Sequence, residues 1–260
     1  MSAPEDILQV NYEGSIAVMT MNNPTRLNAF NLAMRTAMFD RLAEIQANES
    51  CRALVLTGAG GNLCAGGDIS EMKHREIIEA RMRFDLTTRI VRALVNGPKP
   101  FLVAVEGNAA GAGVSFVAAS DYAVAASDAK FACSFIKVGL IPDCGGIWSI
   151  PRKIGHRRAM QMCALSETFD APQALQLELI NEICEPGQAL ARTLEVAEKF
   201  ARNPAIAMAL LKSALNSGND SLDQAMATEV NYQSVLMNTE DYAEAARAFM
   251  EKRKPQFTGR

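Results

Sequence analysis

Two glycine-rich turns hold the residues best placed to do chemistry. In the first, Arg52-Ala53-Leu54-Val55-Leu56-Thr57 runs into Gly58–Gly61 and then Cys64-Ala65-Gly66-Gly67-Asp68. In the second, Phe101-Leu102-Val103-Ala104-Val105 breaks into Glu106-Gly107-Asn108-Ala109-Ala110-Gly111-Ala112-Gly113, and apolar periodicity then resumes. Each reads as a buried strand, a tight loop and a helix start. Such a turn aims free backbone N–H groups and the positive end of a helix at one spot. Two together can hold a developing negative charge, which is the chemistry of a carbonyl that becomes an oxyanion or enolate. Taken singly, each also fits an ordinary connection: Asp68 is placed to cap a helix after the first turn, and the second is not GxGxxG.

A third segment, Phe131-Ala132-Cys133-Ser134-Phe135-Ile136-Lys137-Val138-Gly139-Leu140-Ile141-Pro142-Asp143-Cys144-Gly145-Gly146, sets a carboxylate between a proline and a Gly-Gly helix entry. Two readings stand side by side. In apolar surroundings Asp143 would have a raised pKa and suit proton transfer near neutrality. Alternatively it only N-caps the helix starting near Gly145.

Composition narrows the classes. The 260 residues can bury a sizeable core, with 49% hydrophobic and 21% charged side chains. A net charge of −3 favours no nucleic-acid surface, and Lys252-Arg253-Lys254 is a short, solvated cluster. Met1–Glu5 lacks the apolar region of a secretory signal, and the glycines and Glu106 interrupt the 101–119 region as a membrane span, so a cytoplasmic protein is expected. The six cysteines form no CxxC pair and read as reduced core residues, with Cys144 the candidate reactive thiol because it adjoins glycines. His74 and His156 lack ligand spacing, so no metal site is expected. No GxSxG elbow supports a serine triad.

The elements that must position these residues are read from periodicity. Ile7–Tyr12 and Ser15–Asn22 alternate as a hairpin around Glu13-Gly14, and Asn31–Asn48 has helical spacing with Asn31 as N-cap. Ala53–Thr57, Phe101–Val105, Tyr122–Ala126 and Lys130–Cys133 read as strands, and Asp68 onward and Ile77–Val95 as helical. Strands alternating with helices predict α/β layers and a partly parallel sheet. From about Arg157 the chain turns helical: 156–164, 171–177, 188–202, 205–215, 222–237 and 240–252, with one β-like piece at 180–184. Such a tail often buries an apolar face against another subunit.

These pieces resemble, along nearly the whole chain, the crotonase (enoyl-CoA hydratase/isomerase) superfamily. The matching residues are Asn23-Pro24 through Leu27-Asn28-Ala29, Cys64–Ile69, Lys99-Pro100 through Gly113, Asp121, Phe131, Gly139-Leu140-Ile141-Pro142, Gly145-Gly146, and Phe249 through Lys252-Arg253-Lys254-Pro255-Gln256-Phe257. The resemblance implies a β-β-α spiral core over 1–200 and a helical trimerisation region over 201–260, forming a homotrimer or a dimer of trimers. It implies an acyl-CoA substrate, with coenzyme A part of that substrate and no separate cofactor. By the same resemblance the N–H groups of Gly67 and Ala112 are the oxyanion donors, with Gly111 beside them. Arg26, Leu27, Ala29, Ala65, Gly66, Asp68 and Ile69 cradle the CoA portion, and Lys252 reaches a CoA phosphate. The region 72–90 is expected to line the acyl pocket.

Hydratases of this superfamily use two glutamates. One lies two residues after the second glycine loop, where this chain has Ser115; the other lies four residues before Gly139-Leu140, where it has Phe135. Serine is no unaided base near pH 7 and phenylalanine carries no proton. The resemblance is closest to the ring-1,2-epoxyphenylacetyl-CoA isomerase branch, at Phe135, Lys137, Gly139 through Gly146, Trp148, Pro151-Arg152 and the terminal Pro-Gln-Phe-Thr-Gly. That branch keeps one aspartate, here Asp143, and lacks both glutamates. A double-bond or ring-epoxide isomerase is therefore expected, with Phe135 and Trp148 shaping an apolar acyl pocket or serving as plain core. The alternatives are a hydratase of altered site, an aryl-CoA dehalogenase, or a non-catalytic acyl-CoA-binding protein. Glu106 stands where the superfamily usually has asparagine, either orienting the second loop or adding a carboxylate. Glu71 and Glu76 lie near the acyl side of the first loop.

Overall fold

The computed structural model describes residues 7–218 and 221–260. A hairpin of β1 (Leu8–Glu13) and β2 (Ile16–Met21) starts a six-stranded sheet. It continues through β3 (Ala53–Gly58), β4 (Phe101–Val105), β6 (Tyr122–Ala126) and β9 (Glu182–Cys184), in the order β1-β2-β3-β4-β6-β9. Only the β1–β2 pair is antiparallel; the other pairs in this sheet are parallel. A second sheet joins three short strands, β5 (Asn108–Ala110), β7 (Lys130–Ala132) and β8 (Thr168–Asp170), in the order β5-β7-β8.

Successive side chains on a strand point to opposite faces, so each central strand feeds two cores. On one face Met19, Met21, Leu54, Leu56, Phe101, Val103 and Val105 meet Met34, Met38 and Leu42 of α1 (Leu32–Ala47). Ile90 and Leu94 of α2 (Ile77–Asn96) join the same core. On the other face Ile16, Ala53, Val55, Leu102 and Ala104 pack on Ala189, Val196 and Ala197 of α6 (Ala189–Ala201). The expected mixed sheet with helical layers is what forms.

After β5 comes α3 (Ala112–Ala119), every residue of which is buried. It packs on α4 (Gly146–Ala164), which bends at Gly155, where φ is 74° and ψ 160°. The remaining helices are α5 (Ala171–Gln176), α7 (Ala205–Asn216), α8 (Leu222–Leu236) and α9 (Glu240–Met250). Lys212 of α7 is buried and anchors that helix to the core, its Nζ donating to Asp121 Oδ2 at 2.7 Å and Leu94 O at 2.8 Å. Leu211, Leu215, Leu222, Met226, Val230, Phe249 and Met250 leave apolar surface exposed on α7–α9. No helix among the described residues is long and apolar enough to cross a membrane.

Two local readings differ from the sequence expectation. The stretch from Asp68 is one 3-10 turn, Ile69–Glu71, capped by Asp68 Oδ1 accepting from the Ser70 N–H at 2.9 Å; extended backbone then leads to α2. The second glycine turn is not a bare loop, because β5 occupies Asn108–Ala110 before α3 begins.

Candidate active site

The first turn is held by its neighbours before any ligand is considered. Asn28, fully buried and left-handed at φ 56°, donates Nδ2–H to Ala59 O at 2.8 Å and Asn62 O at 2.7 Å, and its Oδ1 accepts from the Asn23 N–H at 2.8 Å. Ala65 N donates to Leu27 O at 2.9 Å, and Phe30 N to Gly66 O at 2.7 Å. So Leu27 and the Ala29-Phe30 stretch border the Ala65-Gly66 turn, and Arg26 is close enough to act on the Asp68 charge; the resemblance implied that Arg26, Leu27 and Ala29 cradle CoA. Asn28→Asp keeps the shape but sets an oxygen against two carbonyls. About 3 kcal/mol of stability is expected to be lost, read as a drop in the denaturation midpoint, whereas Asn28→Ala loses the bonds without the repulsion.

The second turn is bolted to the first. Cys64 bridges to Ala109 as in a parallel sheet, and Ala110 N donates to Cys64 O at 2.8 Å. The Cys64 thiol is fully buried and accepts from the Gly66 N–H at 3.3 Å; burial, the largest cause, pushes its pKa up to about 12. The two backbones approach so closely that a Cβ on Gly66 would lie 3.2 Å from Ala110 O, and one on Gly111 3.1 Å from Gly66 Cα. Gly111 has φ 51° and ψ −114°, a conformation that side chains disfavour. The Gly67 and Ala112 N–H groups come out of these adjoining turns with no acceptor in the described chain, Ala112 being the first residue of α3. Two such donors, the Ala112 one at a helix start, suit an oxyanion.

Asp143 is near enough for its charge to act on Cys64 of the first turn. Its Oδ1 is buried and unpartnered, and its side chain does not cap α4, whose N-cap is Gly145. Of the two sequence readings, the capping one is thus excluded. Burial is the main cause raising the carboxyl pKa, opposed by a hydrogen bond from the Cys144 thiol and by the charges of Arg35 and Arg83. Cys144 itself is buried and its thiol pKa is raised well above the ordinary value, first by burial and then by the Asp143 charge. It is a protonated donor to Asp143 and not the reactive thiolate its glycine neighbours pointed to.

Ser115, on α3, is fully buried with Oγ unpartnered, 2.5 Å from where a Gly146 Cβ would lie. The Phe135 ring comes within 3.8 Å of the Gly111 Cβ position, so it walls the second turn. Trp148 instead stacks under Arg152, whose Cζ is 4.3 Å from the ring centroid. Glu106 points away from the site: its carboxylate accepts from the Gly187 and Ala189 N–H groups, at 3.0 and 2.9 Å, and holds the start of α6. Glu71 accepts from the Leu32 N–H at 3.0 Å and pairs with Arg83 at 2.5 Å, while Glu76 is exposed. Lys252 is exposed at φ 55° beyond α9, and no described contact brings it to the first turn within one protomer. Sequence reasoning passed over Arg35, a buried cation on α1 whose charge acts on Asp143; an arginine in a helix reads as solvated.

Comparison with known proteins gives the family of the chain. The family model for enoyl-CoA hydratase/isomerase matches residues 11–260. The chain is 36% identical over 256 residues to 1,2-epoxyphenylacetyl-CoA isomerase of Escherichia coli K12, covering 95% of this chain and 97% of that protein. It is 35% identical over 244 residues to short-chain-enoyl-CoA hydratase of Clostridium acetobutylicum, covering 93% and 94%. The crystal structure of an enoyl-CoA hydratase from Polaromonas sp. JS666 superposes with a TM-score of 0.91 at 31% identity, covering 96% of this chain and 99% of that one. With paired glycine turns, a crotonase fold and a match along nearly its whole length, the chain belongs to the enoyl-CoA hydratase/isomerase family of acyl-CoA enzymes.

Proposed function

We propose that the protein is an acyl-CoA isomerase that uses one aspartate, shifting a double bond or rearranging a ring epoxide next to the thioester. The observation that carries this reading is the character of three positions: Asp143 has a buried, unpartnered carboxylate oxygen, while Ser115 and Phe135 supply no carboxylate. The thioester oxygen accepts from the Gly67 and Ala112 N–H groups, which acidifies the α-carbon. Asp143 takes a proton from one carbon and returns it at another, the electron pair moving toward the thioester carbonyl and back. Water addition, which needs an acid and a base on the water, lacks its groups. Coenzyme A lies along Arg26, Leu27, Ala29, Ala65, Gly66, Asp68 and Ile69. Lys252 reaches a CoA phosphate only if a neighbouring subunit presents it, and the exposed apolar faces of α7–α9 support a homotrimer or a dimer of trimers. A cytoplasmic location and the absence of any separate cofactor belong to the same proposal.

A panel of crotonyl-, 3-enoyl-, 2,5-dienoyl- and ring-epoxide phenylacetyl-CoA tests the reading. Turnover of a 3-enoyl or ring-epoxide ester with slow crotonyl hydration is expected; rapid crotonyl hydration refutes it. A proton-accepting Asp143 must be ionised, and its pKa is raised. So kcat/KM is expected to fall as pH drops through a value above the ordinary carboxylate range, and an acid limb at or below that range contradicts the assignment.

A further inference from the structure

Buried polar atoms without partners gather around Asp143, and two of them belong to a cation. Arg35 is 3% exposed, its Cζ lies 5.0 Å over the Phe30 ring, and its Nε and Nη1 are buried with no acceptor. A buried guanidinium is costly unless its N–H groups are met. Glu71 is already engaged by Arg83 and the Leu32 N–H. Asp143 acts on Arg35 through its charge without an ion pair between them among the described residues. On α2, Arg83, Thr87 and Val91 recur every fourth residue and share one helix face. The Arg83 end reaches Glu71, and the Val91 end lies 2.8 Å from a Gly145 Cβ position. Thr87, between them, is 3% exposed with Oγ1 unpartnered. Ser115 Oγ, from α3, meets the same stretch at Gly146. Three helices thus carry unsatisfied donors: Arg35, whose charge acts on Asp143; Thr87, on the helix face between Arg83 and Val91; and Ser115, beside Gly146.

We propose that Arg35, supported by Thr87 and Ser115, is a specificity-determining residue that donates hydrogen bonds to an oxygen carried on the acyl group. This rests on the acyl-CoA reading above. Two cations, Arg35 and Arg83, are balanced there by two carboxylates, Glu71 and Asp143, so the acceptor that fits is a neutral oxygen: hydroxyl, ketone, ether or epoxide. A plain hydrocarbon chain leaves the buried N–H groups unmet, and a site built to hydrogen-bond rejects such an analogue strongly.

Calorimetric titration of the full-length protein with unreactive thioesters tests this apart from turnover. The probes are phenylacetyl-CoA, 2-hydroxyphenylacetyl-CoA, hexanoyl-CoA and adipyl-CoA. The wild type is expected to bind the hydroxylated ester about 10-fold or more tighter than phenylacetyl-CoA, the gain from a charge-assisted hydrogen bond. Arg35→Met is expected to bring the two within about 2-fold, and Arg35→Lys to keep part of the gap. No preference in the wild type overturns the proposal without need of a variant. A preference that survives in a folded Arg35→Met protein also overturns it. Adipyl-CoA preferred over hexanoyl-CoA by more than the hydroxyl preference replaces the neutral oxygen with a carboxylate and overturns that assignment. If none of the four esters binds, the acyl-CoA reading fails first and takes this proposal with it.

Discussion

Asp143→Asn is expected to lower kcat on the best substrate of the acyl-CoA panel by about 10²–10⁴-fold while KM changes little. Asparagine matches the shape of the side chain and can still accept from the Cys144 thiol, but it cannot take up a proton. The magnitude is that of one general acid–base group, and here no second carboxylate replaces it: Ser115 is a neutral hydroxyl, Phe135 is apolar, and Glu71 is tied to Arg83. The same variant carries a stability signature. Burial raises the folded-state pKa of Asp143 above its unfolded value, so the folded state binds more protons and stability declines as pH rises through that interval. Asparagine has no charge to bury. The variant is expected to melt at a higher temperature than wild type at neutral pH, with the gap closing as pH falls through the raised pKa. A large kcat loss together with a higher melting temperature is the pattern of a functional group held at a stability cost. A variant that is slow because it is damaged would show the opposite shift.

Gly111→Ala is the second large effect. The new Cβ would sit 3.1 Å from Gly66 Cα, on a residue at φ 51° and ψ −114°. Neither turn can yield alone, because Ala110 N–Cys64 O and Gly111 N–Ala132 O fix the backbone on both sides. The turns must part, and the Gly67 and Ala112 N–H groups then no longer converge. Loss of an oxyanion donor costs about 10²–10³-fold in kcat, and that range is expected here, with about 1–3 kcal/mol of backbone strain. Gly67→Ala is the control. A Cβ there meets nothing within 4 Å and φ is not positive, so the N–H stays in place and the loss should be far smaller. Equal losses in the two variants would sink the proposed division of roles.

Much of this was readable in the chain, for physical reasons. Runs such as Ala53–Thr57 and Phe101–Val105 are apolar without alternation because both faces of the sheet are covered, and they formed strands as expected. Asn31 was legible as a cap and accepts from the Met34 N–H. The two glycine turns announced themselves because only glycine permits the approach of Gly66 to Gly111. Strands β5 and β8, of three residues each, gave no periodic signal to read. The partners of Glu106 were invisible because they lie 81 and 83 residues on. Asp143 could be seen, but its capping reading could not be set aside, since a capping aspartate and a proton-moving one look alike in sequence and only the structure shows that the cap is Gly145. Arg35 and Thr87 were missed because local sequence does not show that α1 and α2 close over them.

The central claim is that Asp143 moves the proton at a carbon acidified by the paired turns. It is tested most directly by incubating wild type and Asp143→Asn with a 3-enoyl-CoA in deuterated water and following deuterium entry at the α-carbon by mass spectrometry. The wild type is predicted to exchange, and the variant to exchange at least about 100-fold more slowly while still binding the ester. Exchange by the variant at the wild-type rate would contradict the account.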